Sequence, residues 1–476
     1  MKRRTFLLGT ASGFSVLALA ACVEPEQTPV PTTSPAPTTL TPSLVPQPLA
    51  VSRTNWSTDP FSRGSFSYAA VGATPEHRVA LGQAVDARVF FAGEATAVDE
   101  PGTVQGARAS GLLAAGRVQD VAAPGERITI VGAGIAGITA ARQLVNAGYD
   151  VVVIEARDRI GGRIDTVSSD WPFPIERGPS FVHRTSDNFL DDELTTLGVS
   201  LLPFVRTPEV RTRAGAVVEV STLGAEAVAG ALDWAADQQQ DVSVERALID
   251  SGEAKLSSTR NADGLSDADW LEYEIATKLK VETGATPSQQ SAWYTTDIGS
   301  ADDDQIVIGG YSTLLKSDAD GLELLLSSVV NRVAHDDGGV SLRLGTGESL
   351  SADRVILTVP LGVLQTAAIE FSPALPFAHR GAIAALGMGV LDKVWLRFDE
   401  PFWDTEARLW TIVGEDADFP VWVNMMPLTG EPILMGVVAA ENATRLSELD
   451  DDEFLSAALT ALEPFLAVPD AAVSDE

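Results

Sequence analysis

The pattern of apolar and polar positions is most regular in residues 127–163, RITIVGAGIAGITAARQLVNAGYDVVVIEARDRIGGR. Arg127–Val131 and Val151–Ile154 are apolar runs of the kind found in buried parallel strands. Ile138–Ala147 lies between them with apolar residues at helical spacing, and Gly148 ends that helix. The pattern predicts a strand, a helix and a second parallel strand, which together form the basic unit of an α/β fold.

The turn between the first strand and the helix has the spacing G-x-G-x-x-G, formed by Gly132, Gly134 and Gly137. Such glycines let the backbone approach a pyrophosphate, and the helix N-terminus offers it free N–H groups. Glu155 follows the second strand, where a carboxylate can bind a ribose hydroxyl. Because strand, turn, helix, strand and acid occur in register, the stretch predicts a dinucleotide site and not an ordinary turn. Its position is unusual, since such a unit commonly opens a chain.

The rest of the chain carries weaker patterns. Ahead of this unit, Arg88–Phe91 predicts a strand and Thr103–Val118 a helix rich in small residues. Behind it, residues 184–303 are polar and predict mainly helices, and Asp451–Leu462 predicts a helix near the end. Further strands are predicted at Leu322–His335, Val340–Leu344, Arg354–Val359, Leu409–Val413, Val421–Met425 and Ile433–Val438.

One strand within Ile383–Trp403 alternates clearly between two faces. These faces carry Val394, Leu396 and Phe398 on one side and Lys393, Trp395 and Arg397 on the other. Taken together, the elements predict an α/β fold in which a Rossmann-like domain carries an inserted α+β domain. The inserted domain would combine helices with a mixed or antiparallel sheet.

The charge of the chain narrows the choice of partners. The 476 residues carry a formal net charge of −33, with a pI near 4.4. This charge argues against nucleic acid and against an anionic membrane surface as partners. It is compatible with cationic substrates, although a solvated acidic surface is the simpler explanation.

Residues 1–22 predict an export signal that is not part of the fold. Lys2, Arg3 and Arg4 form a basic start, and the paired arginines resemble a twin-arginine signal. Phe6–Ala21 is apolar but too short, and too often interrupted by glycine and serine, to span a membrane.

Cys22 is the only cysteine in the chain, and residues 19–22, LAAC, resemble a bacterial lipobox. We expect Cys22 to be lipidated; the alternative is a plain cleavable signal with an incidental cysteine. Residues 23–50 hold eight prolines and six threonines and predict an extended linker. The protein is therefore expected to be exported. It would be anchored through Cys22 to the outer face of the cytoplasmic membrane, or be periplasmic or extracellular.

Several separate motifs resemble the FAD-dependent amine oxidases, which include monoamine and polyamine oxidases and flavin-dependent histone demethylases. VGAGIAGITAARQL and IEARDRIGGR resemble the FAD fingerprint of that family, and residues 175–183 resemble its flavin-side loop. TVPLGVLQ and KVWLRFDEPFW are similar to it as well. The resemblance implies an FAD-binding domain at residues 51–184 and 303–372, and a substrate-binding domain at residues 185–302 and 373–476.

The order of these motifs differs from that of the family. Segments similar to Trp56–Tyr68 and Phe91–Ala107 stand at the C-terminal end of family members, whereas here they precede the Rossmann strand. We therefore predict a circular permutation, with new ends near Ala50 and Glu476 and the usual ends joined by the loop after Val118. The ends of a domain are often close together, so such a rearrangement is physically easy. A domain-swapped dimer is the alternative, and the oligomeric state stays open.

The resemblance implies FAD as the cofactor and no metal. Glu155 would bind the adenosine ribose, Arg157 and Arg163 would lie along the cofactor, and the backbone of Val330 would meet the adenine. Ser65 stands where some members carry a cysteine bonded to the flavin, so FAD is expected to be non-covalent.

At the flavin end, the resemblance gives Gly93 a close approach to the diphosphate and Glu94 a contact with the ribityl chain. The Val104 N–H, at a helix N-terminus, would face flavin O2 and stabilise the reduced ring. The implied reaction transfers a hydride from the amine α-carbon to flavin N5. Reoxidation by O2 would then give H2O2 and an imine or aldehyde.

Four residues match catalytic positions of the family. Lys393 matches a lysine that holds a water against flavin N5, with an exposed strand lysine as the alternative; if buried, its pKa should be lowered. Phe66 and Thr103 match two aromatic walls, and only Phe66 is aromatic, so the cage is half open. His183 matches a histidine at the cavity mouth, or is structural. Trp395 is a further wall or a core residue.

The substrate is expected to be a primary or secondary amine, of polyamine or monoamine type. Amino-acid oxidases of the superfamily carry an arginine where this chain has Phe181, after Gly178, Pro179 and Ser180, which makes an L-amino acid less favoured. A desaturase or porphyrinogen-type oxidase is an alternative, as is a non-catalytic FAD-binding surface protein. Pro179 departs from the Gly-Ala or Gly-Gly of most amine oxidases.

Overall fold

A computed structural model describes residues 43–183, 190–295, 304–414 and 417–467. The predicted export signal, Cys22 and the first part of the predicted linker lie outside the described residues. Among the helices in the described ranges, none has the length and apolar character needed to cross a membrane. The described chain forms a mixed α/β fold with several sheets.

A five-stranded parallel sheet contains the glycine turn. Its strands lie in the order Glu323–Leu325, Asp150–Ile154, Arg127–Val131, Arg354–Leu357 and Val89–Phe91. Helix Ile135–Asn146 starts directly after the turn. Helix Val104–Gln119 packs on it so closely that a Cβ at Gly111 would lie 2.2 Å from the Ala136 carbonyl oxygen. The predicted strand–helix–strand unit is therefore present, and its first and last strands are neighbours.

A seven-stranded, mostly antiparallel sheet carries the predicted alternating strand. Its strands lie in the order Ala50–Arg53, Leu391–Arg397, Ile433–Ala439, Val421–Asn424, Leu409–Val413, Pro208–Thr212 and Val217–Val218. Val394 and Leu396 pack in one core cluster with residues of helix Asp451–Leu462, whereas Trp395 packs in another with Ile175. The alternation of this strand is confirmed, and both of its faces are buried.

Smaller sheets and helices complete the fold. The remaining strands are Phe181–Val182, Gln305–Ile308 and Ser200–Pro203 in one sheet, Ser349–Ala352, Gly339–Leu344, Val330–Asp336 and Glu370–Ser372 in another, and the pairs Gly387–Gly389 with Phe66–Tyr68 and Thr166–Val167 with Ile175–Glu176. Further α-helices are Pro75–Leu81, Leu190–Thr196, Leu223–Ala236, Val244–Ser251, Asp267–Glu274, Lys280–Thr283, Ser312–Ala319, Leu361–Gln365, Phe377–Ala385, Met426–Thr429 and Ala440–Ser447. Short 3₁₀ turns lie at Glu94–Thr96 and Glu463–Phe465, and a π-helical turn at Ile275–Leu279.

Two predictions of secondary structure are wrong. The polar region expected to be largely helical also holds three strands between residues 200 and 218, and Pro208–Thr212 pairs in parallel with Leu409–Val413. This long-range pairing overrides local composition. The predicted strand Leu322–His335 divides into strands of two different sheets, because the chain turns at Ser327, which has a φ of 51°.

The two ends of the described chain lie side by side. Ser43 Oγ donates to Glu463 Oε1 at 2.8 Å, and the Leu49 N–H donates to the Arg397 carbonyl oxygen at 2.6 Å. Val45 is buried against the seven-stranded sheet. The linker prediction is thus wrong for residues 43–50, which dock through an apolar side chain and backbone hydrogen bonds. Ala50–Arg53 is a strand of the seven-stranded sheet. Residues 51–53 therefore do not belong to the predicted FAD-binding domain.

Candidate active site

A cavity of about 510 Å³ is lined by residues from both large sheets and from the loops that follow their strands. It brings together all of the site residues predicted from sequence except Gly137, namely Phe66, Gly93, Glu94, Thr103, Val104, Gly132, Gly134, Glu155, Arg157, Arg163, His183, Val330 and Lys393. These residues come from segments more than 300 positions apart, so the cavity is a product of the tertiary fold.

The glycine turn forms one wall of the cavity and excludes side chains. Gly132 has a φ of 109°, and a Cβ there would lie 2.4 Å from Thr358 Oγ1. A Cβ at Gly137 would lie 2.0 Å from the Gly132 carbonyl oxygen. Gly137 therefore lies behind the wall and lets the helix begin tightly against the turn. Gly134 is the N-cap of helix Ile135–Asn146 and faces the cavity.

Glu155 lies at the end of its strand with its carboxylate already oriented. One carboxylate oxygen accepts the Ala133 N–H at 2.7 Å and the other accepts the Arg157 N–H at 2.9 Å. The Ser328 N–H donates to the Glu155 carbonyl oxygen at 2.8 Å, which holds the segment before Val330 against this strand. Each carboxylate oxygen of Glu155 can still accept another hydrogen bond, such as one from a hydroxyl group of a ligand.

Arg157 is held by two residues of Trp56–Tyr68, a segment far from it in the sequence. Both of its terminal nitrogens donate to the carboxylate of Asp59 at 2.8 Å, and one also donates to Ser62 Oγ at 2.9 Å. Burial acts to raise the pKa of Asp59, but the hydrogen bonds from Arg157 and from the Phe61 N–H outweigh it and hold that pKa below its usual range. A bidentate pair of this kind fixes the plane of the guanidinium.

Glu94 lies at the centre of a buried network. Arg163 donates to its Oε1 at 2.9 Å, and the Ser67 hydroxyl donates to its Oε2 at 2.6 Å. Arg78 is also buried and donates to Ser67 Oγ at 2.7 Å. Burial acts to raise the pKa of Glu94, but the positive charges of Arg163 and Arg78 and the Ser67 hydrogen bond keep it lowered. The carboxylate stays ionised and accepts the Gly102 N–H at 3.2 Å.

Thr103 caps the helix that begins at Val104. Its hydroxyl accepts the Gly106 N–H at 3.0 Å and donates to the Glu100 carbonyl oxygen at 2.7 Å. The first N–H groups of a helix lack partners within the helix, so this end offers donors and a positive dipole end to the cavity. Gly93 has a φ of 127° and donates its N–H to Ser110 Oγ of the same helix at 2.8 Å.

Lys393 is buried, with 6% of its surface exposed. Its ammonium donates to the Gly178 carbonyl oxygen and, at 2.7 Å, to Ser180 Oγ. Burial lowers the pKa of Lys393 to about 7, against an opposing attraction from Glu176. The exposed-lysine alternative is therefore wrong, and the predicted lowering of the pKa agrees with the structure.

Glu176 is a buried acid that motif reasoning missed. It is 1% exposed, and its carboxylate accepts the Tyr311 N–H at 2.7 Å and the Thr166 hydroxyl at 2.9 Å. Burial raises its pKa to about 7, although these hydrogen bonds and the charge of Lys393 act to lower it. The only sequence signal is its place within residues 175–183, which resemble the flavin-side loop.

His183 lies on the cavity lining in contact with a buried carboxylate. Its Nδ1 is 2.9 Å from Asp304 Oδ1, and Arg206 Nε donates to Asp304 Oδ2 at 2.6 Å. Burial acts to raise the pKa of Asp304, but His183 and Arg206 lower it overall. The Arg206 guanidinium lies 5.4 Å from the centre of the Phe181 ring. Sequence reasoning missed both Asp304 and Arg206.

The remaining candidates separate into lining and core residues. Phe66 lies on the strand that pairs with Gly387–Gly389 and lines the cavity. Ser65 exchanges two 2.8 Å hydrogen bonds with the backbone of Leu391. Trp395 is 2% exposed, packs against Trp171 and donates to the Glu176 carbonyl oxygen at 3.0 Å. Trp395 is therefore a core residue and not a further wall of the cavity.

The chain is similar to known flavin-containing amine oxidoreductases over most of its length. A family model described as flavin containing amine oxidoreductase matches residues 37–119 and 135–475. Polyamine oxidase 4 of Oryza sativa subsp. japonica is 29% identical over 369 residues, covering 72% of this chain and 73% of that protein. Lysine-specific histone demethylase 2 of Homo sapiens is 28% identical over 70% of this chain and 43% of that protein.

Among solved structures, putrescine oxidase with bound putrescine has a TM-score of 0.57 to this chain. The match covers 72% of this chain and 82% of that chain at 22% sequence identity. At this identity the likeness shows a shared fold.

Proposed function

The chain belongs to the family of flavin-containing amine oxidoreductases, and from this premise we propose that it oxidises a primary or secondary amine of polyamine or monoamine type. It is an FAD-dependent amine oxidase. The observation that carries the proposal is the single cavity that joins the glycine turn and Glu155 to the buried Lys393.

The residues of the cavity fit non-covalent FAD. Gly132 leaves no space for a side chain where a diphosphate would approach, and Glu155 keeps an oriented carboxylate for a ribose. Arg157, Arg163 and the helix end at Val104 would hold the remaining negative charge and the flavin edge. Ser65 offers no thiol for a covalent bond. When bound, FAD supplies the acceptor for the two electrons released by the amine.

The protein residues around the reacting end have separate tasks in this proposal. Lys393 holds a proton at Nζ that can be lost near neutral pH, because burial lowers its pKa to about 7. Gly178 and Ser180 fix the position of that nitrogen. Phe66 presents an aromatic face to a neutral amine, and His183 lies on the lining with its ring oriented by Asp304.

Two alternatives are less well supported. An L-amino acid needs an unpaired cation for its carboxylate, and Arg206, which lies beside Phe181, already donates to the buried Asp304. A desaturase or porphyrinogen-type oxidase would need no lysine beside the reacting carbon. The buried Lys393 favours amine oxidation over a desaturase or porphyrinogen-type reaction.

A panel of monoamines, diamines and polyamines, assayed for H2O2, tests the substrate class. We expect peroxide with at least one amine, and we expect Lys393→Met to retain FAD while flavin reduction or reoxidation slows. Unchanged rates for both half-reactions in that variant would remove Lys393 from the mechanism. Peroxide formation from an L-amino acid and from no other amine would overturn the proposed substrate class.

We also propose that the FAD-binding domain is Rossmann-like and that the chain is circularly permuted. Two features support this: Ser43 contacts Glu463, and strand Val89–Phe91 lies in the same sheet as Arg127–Val131. A chain that starts at residue 120 and carries residues 43–119 after residue 467, through a short glycine–serine linker, should fold and bind FAD. Failure of that chain to bind FAD, or a native mass by light scattering that requires a swapped dimer, would contradict the permutation.

Finally, we propose export and lipid anchoring, supported by Arg3, Arg4 and the lone Cys22 in LAAC. Cys22→Ser should move the protein from the membrane fraction to the soluble fraction, and replacing both arginines by lysine should retain it in the cytoplasm. Membrane association that survives Cys22→Ser would contradict a lipid anchor at that position.

A further inference from the structure

Lys393 is anchored to one short segment, residues 176–180. Its ammonium donates to the Gly178 carbonyl oxygen and to Ser180 Oγ. Ser180 Oγ donates to the Glu176 carbonyl oxygen at 3.3 Å, and Trp395 donates to the same oxygen at 3.0 Å. Two side chains of the strand that carries Lys393 thus hold the segment in place, and that segment begins with the buried acid Glu176.

The carboxyl group of Glu176 is held by hydrogen bonds of its own. The Tyr311 N–H and the Thr166 hydroxyl donate to it, and both of these partners are neutral. The hydrogen-bond partners of the Lys393 ammonium are neutral as well. Each group is therefore held in position by hydrogen bonds without having its charge cancelled by them.

The other ionisable groups that face Glu176 leave Lys393 as its cationic partner. Asp165 carries a negative charge that is met by Arg177 and, at 3.3 Å, by Arg159. The Tyr311 phenol is buried, donates to the Phe181 carbonyl oxygen at 2.7 Å and has a pKa raised well above its usual value, so it stays neutral. Among the described residues, the positive charge that acts on Glu176 comes from Lys393.

We propose that Glu176 is a positioning residue of this enzyme: it is the buried counter-charge that sets the protonation of Lys393 in the cofactor cavity. The proposal rests on the proposed role of Lys393 in amine oxidation.

The physical argument is that two buried groups of opposite sign titrate as a pair. Burial disfavours both charges, which moves the pKa of Lys393 down and that of Glu176 up, each to about 7. Their mutual attraction acts against burial in both groups. Removing the Glu176 charge keeps the burial of Lys393 and takes away the attraction, so the pKa of Lys393 must fall further. Lys393 would then lose its proton at a lower pH than in the wild-type enzyme.

The test compares pH profiles of flavin reduction in anaerobic stopped flow, using the FAD-loaded enzyme. In each profile the rate changes with pH where an ionisable group gains or loses its proton, and we call each such change a limb. The limb that disappears in Lys393→Met belongs to the lysine. Glu176→Gln should shift the same limb to lower pH by about one unit, the size of shift that an opposite charge commonly produces. Asp318→Asn is the matched control. Its half-buried carboxyl also has a pKa raised by burial, but the charges that act on it are those of Arg108, Glu193 and Arg142, so the limb should not move.

The dependence of Tm on pH is a second measurement of the protonation of Glu176, and it needs no turnover. The raised pKa of Glu176 means that the folded enzyme binds a proton which the unfolded chain has released, from about pH 4.5 up to about 7. Stability contributed by this group therefore falls as the pH rises through that window, and Glu176→Gln should remove this part of the slope of Tm against pH. A purely structural role would lower Tm by the same amount at every pH.

Several outcomes would overturn the proposal. One is a limb that stays in place in Glu176→Gln while it disappears in Lys393→Met, which leaves the role of the lysine intact. Another is a Glu176→Gln variant whose limb moves to higher pH, because loss of an opposite charge cannot raise the pKa of the lysine. If no limb depends on Lys393, the proposed role of that lysine fails together with this one. Should Glu176→Gln not retain FAD, Thr166→Val removes a hydrogen bond that favours ionised Glu176, and it should shift the limb in the same direction by less; an unmoved limb there counts equally against the proposal.

Discussion

The two ends of the cavity treat charge differently. At the end that carries the glycine turn, Arg157 forms a bidentate pair with Asp59. At the other end, Lys393 and Glu176 are buried among neutral hydrogen-bond partners, and the pKa of each is moved to about 7. The first arrangement holds a fixed charge pattern for a cofactor, whereas the second keeps groups that can change protonation during a reaction. Binding and reactivity thus place opposite demands on buried charge within one cavity.

The largest effect is expected from a side chain in the glycine turn. Gly137→Val should abolish retention of FAD during purification, because even a Cβ at this position would lie 2.0 Å from the Gly132 carbonyl oxygen. Flavin absorbance per protein measures this loss. Gly116→Ala is the control, since a Cβ there meets nothing within 4 Å, and it should retain full flavin content. Full flavin content in Gly137→Val would mean that the turn does not shape the cofactor end.

Asp59→Asn should weaken FAD binding roughly tenfold, or by about 1.4 kcal/mol, because it leaves the partly buried guanidinium of Arg157 without its counter-charge. Equilibrium titration of the FAD-free protein with FAD measures the change. Asp150→Asn breaks an ion pair with Arg127 in which both side chains are about half exposed, and such pairs contribute little. Equal effects of the two substitutions would remove the distinction between fixed cavity charges and surface charges.

Lys393→Met should change how stability depends on pH at the reactive end. The lowered pKa of Lys393 means that, between about pH 7 and 10.5, the unfolded chain binds a proton that the folded chain does not. The stability contributed by this group therefore rises with pH across that window, and the variant should lose this rise. Measurements of Tm from pH 7 to 9 test it, with the exposed Lys316→Met as the control. An unchanged slope in Lys393→Met would show that the lysine is charged throughout.

The smallest effect is expected at Thr103, whose hydroxyl caps the helix that begins at Val104. Thr103→Ala should lower stability by about 1 kcal/mol through loss of the cap. Thr103→Ser keeps the hydroxyl and should restore most of it in a denaturant titration. An alanine variant as stable as wild type would make the position purely a lining residue.

The sequence predicts the cofactor end far better than the reactive end, and the reason is physical. The glycine turn and Glu155 belong to one contiguous strand–helix–strand unit, whose apolar periods and turn glycines act locally. The partners that complete the site are distant along the chain. Lys393 is 213 positions from Ser180, and Asp304 is 98 positions from Arg206. Nothing in a local pattern specifies such contacts.

The same reasoning explains the errors in the fold. Pro208–Thr212 becomes a strand because Leu409–Val413 offers it a parallel partner, and residues 43–50 become ordered because Val45 finds a buried place. Glu176 was missed for a related reason. A single acid between Ile175 and Arg177 has the pattern of an ordinary strand residue until packing removes it from water and brings Lys393 near.

The central claim is that this cavity oxidises amines through FAD, and anaerobic reduction of the bound flavin tests it most directly. An amine from the panel that yields peroxide is mixed with the FAD-loaded enzyme without oxygen, and the visible absorbance is followed. We predict that the oxidised flavin bands bleach in a single turnover and return when air is admitted, with H2O2 formed. Flavin that stays oxidised with every amine of the panel, in a protein that retains its FAD, would contradict the account.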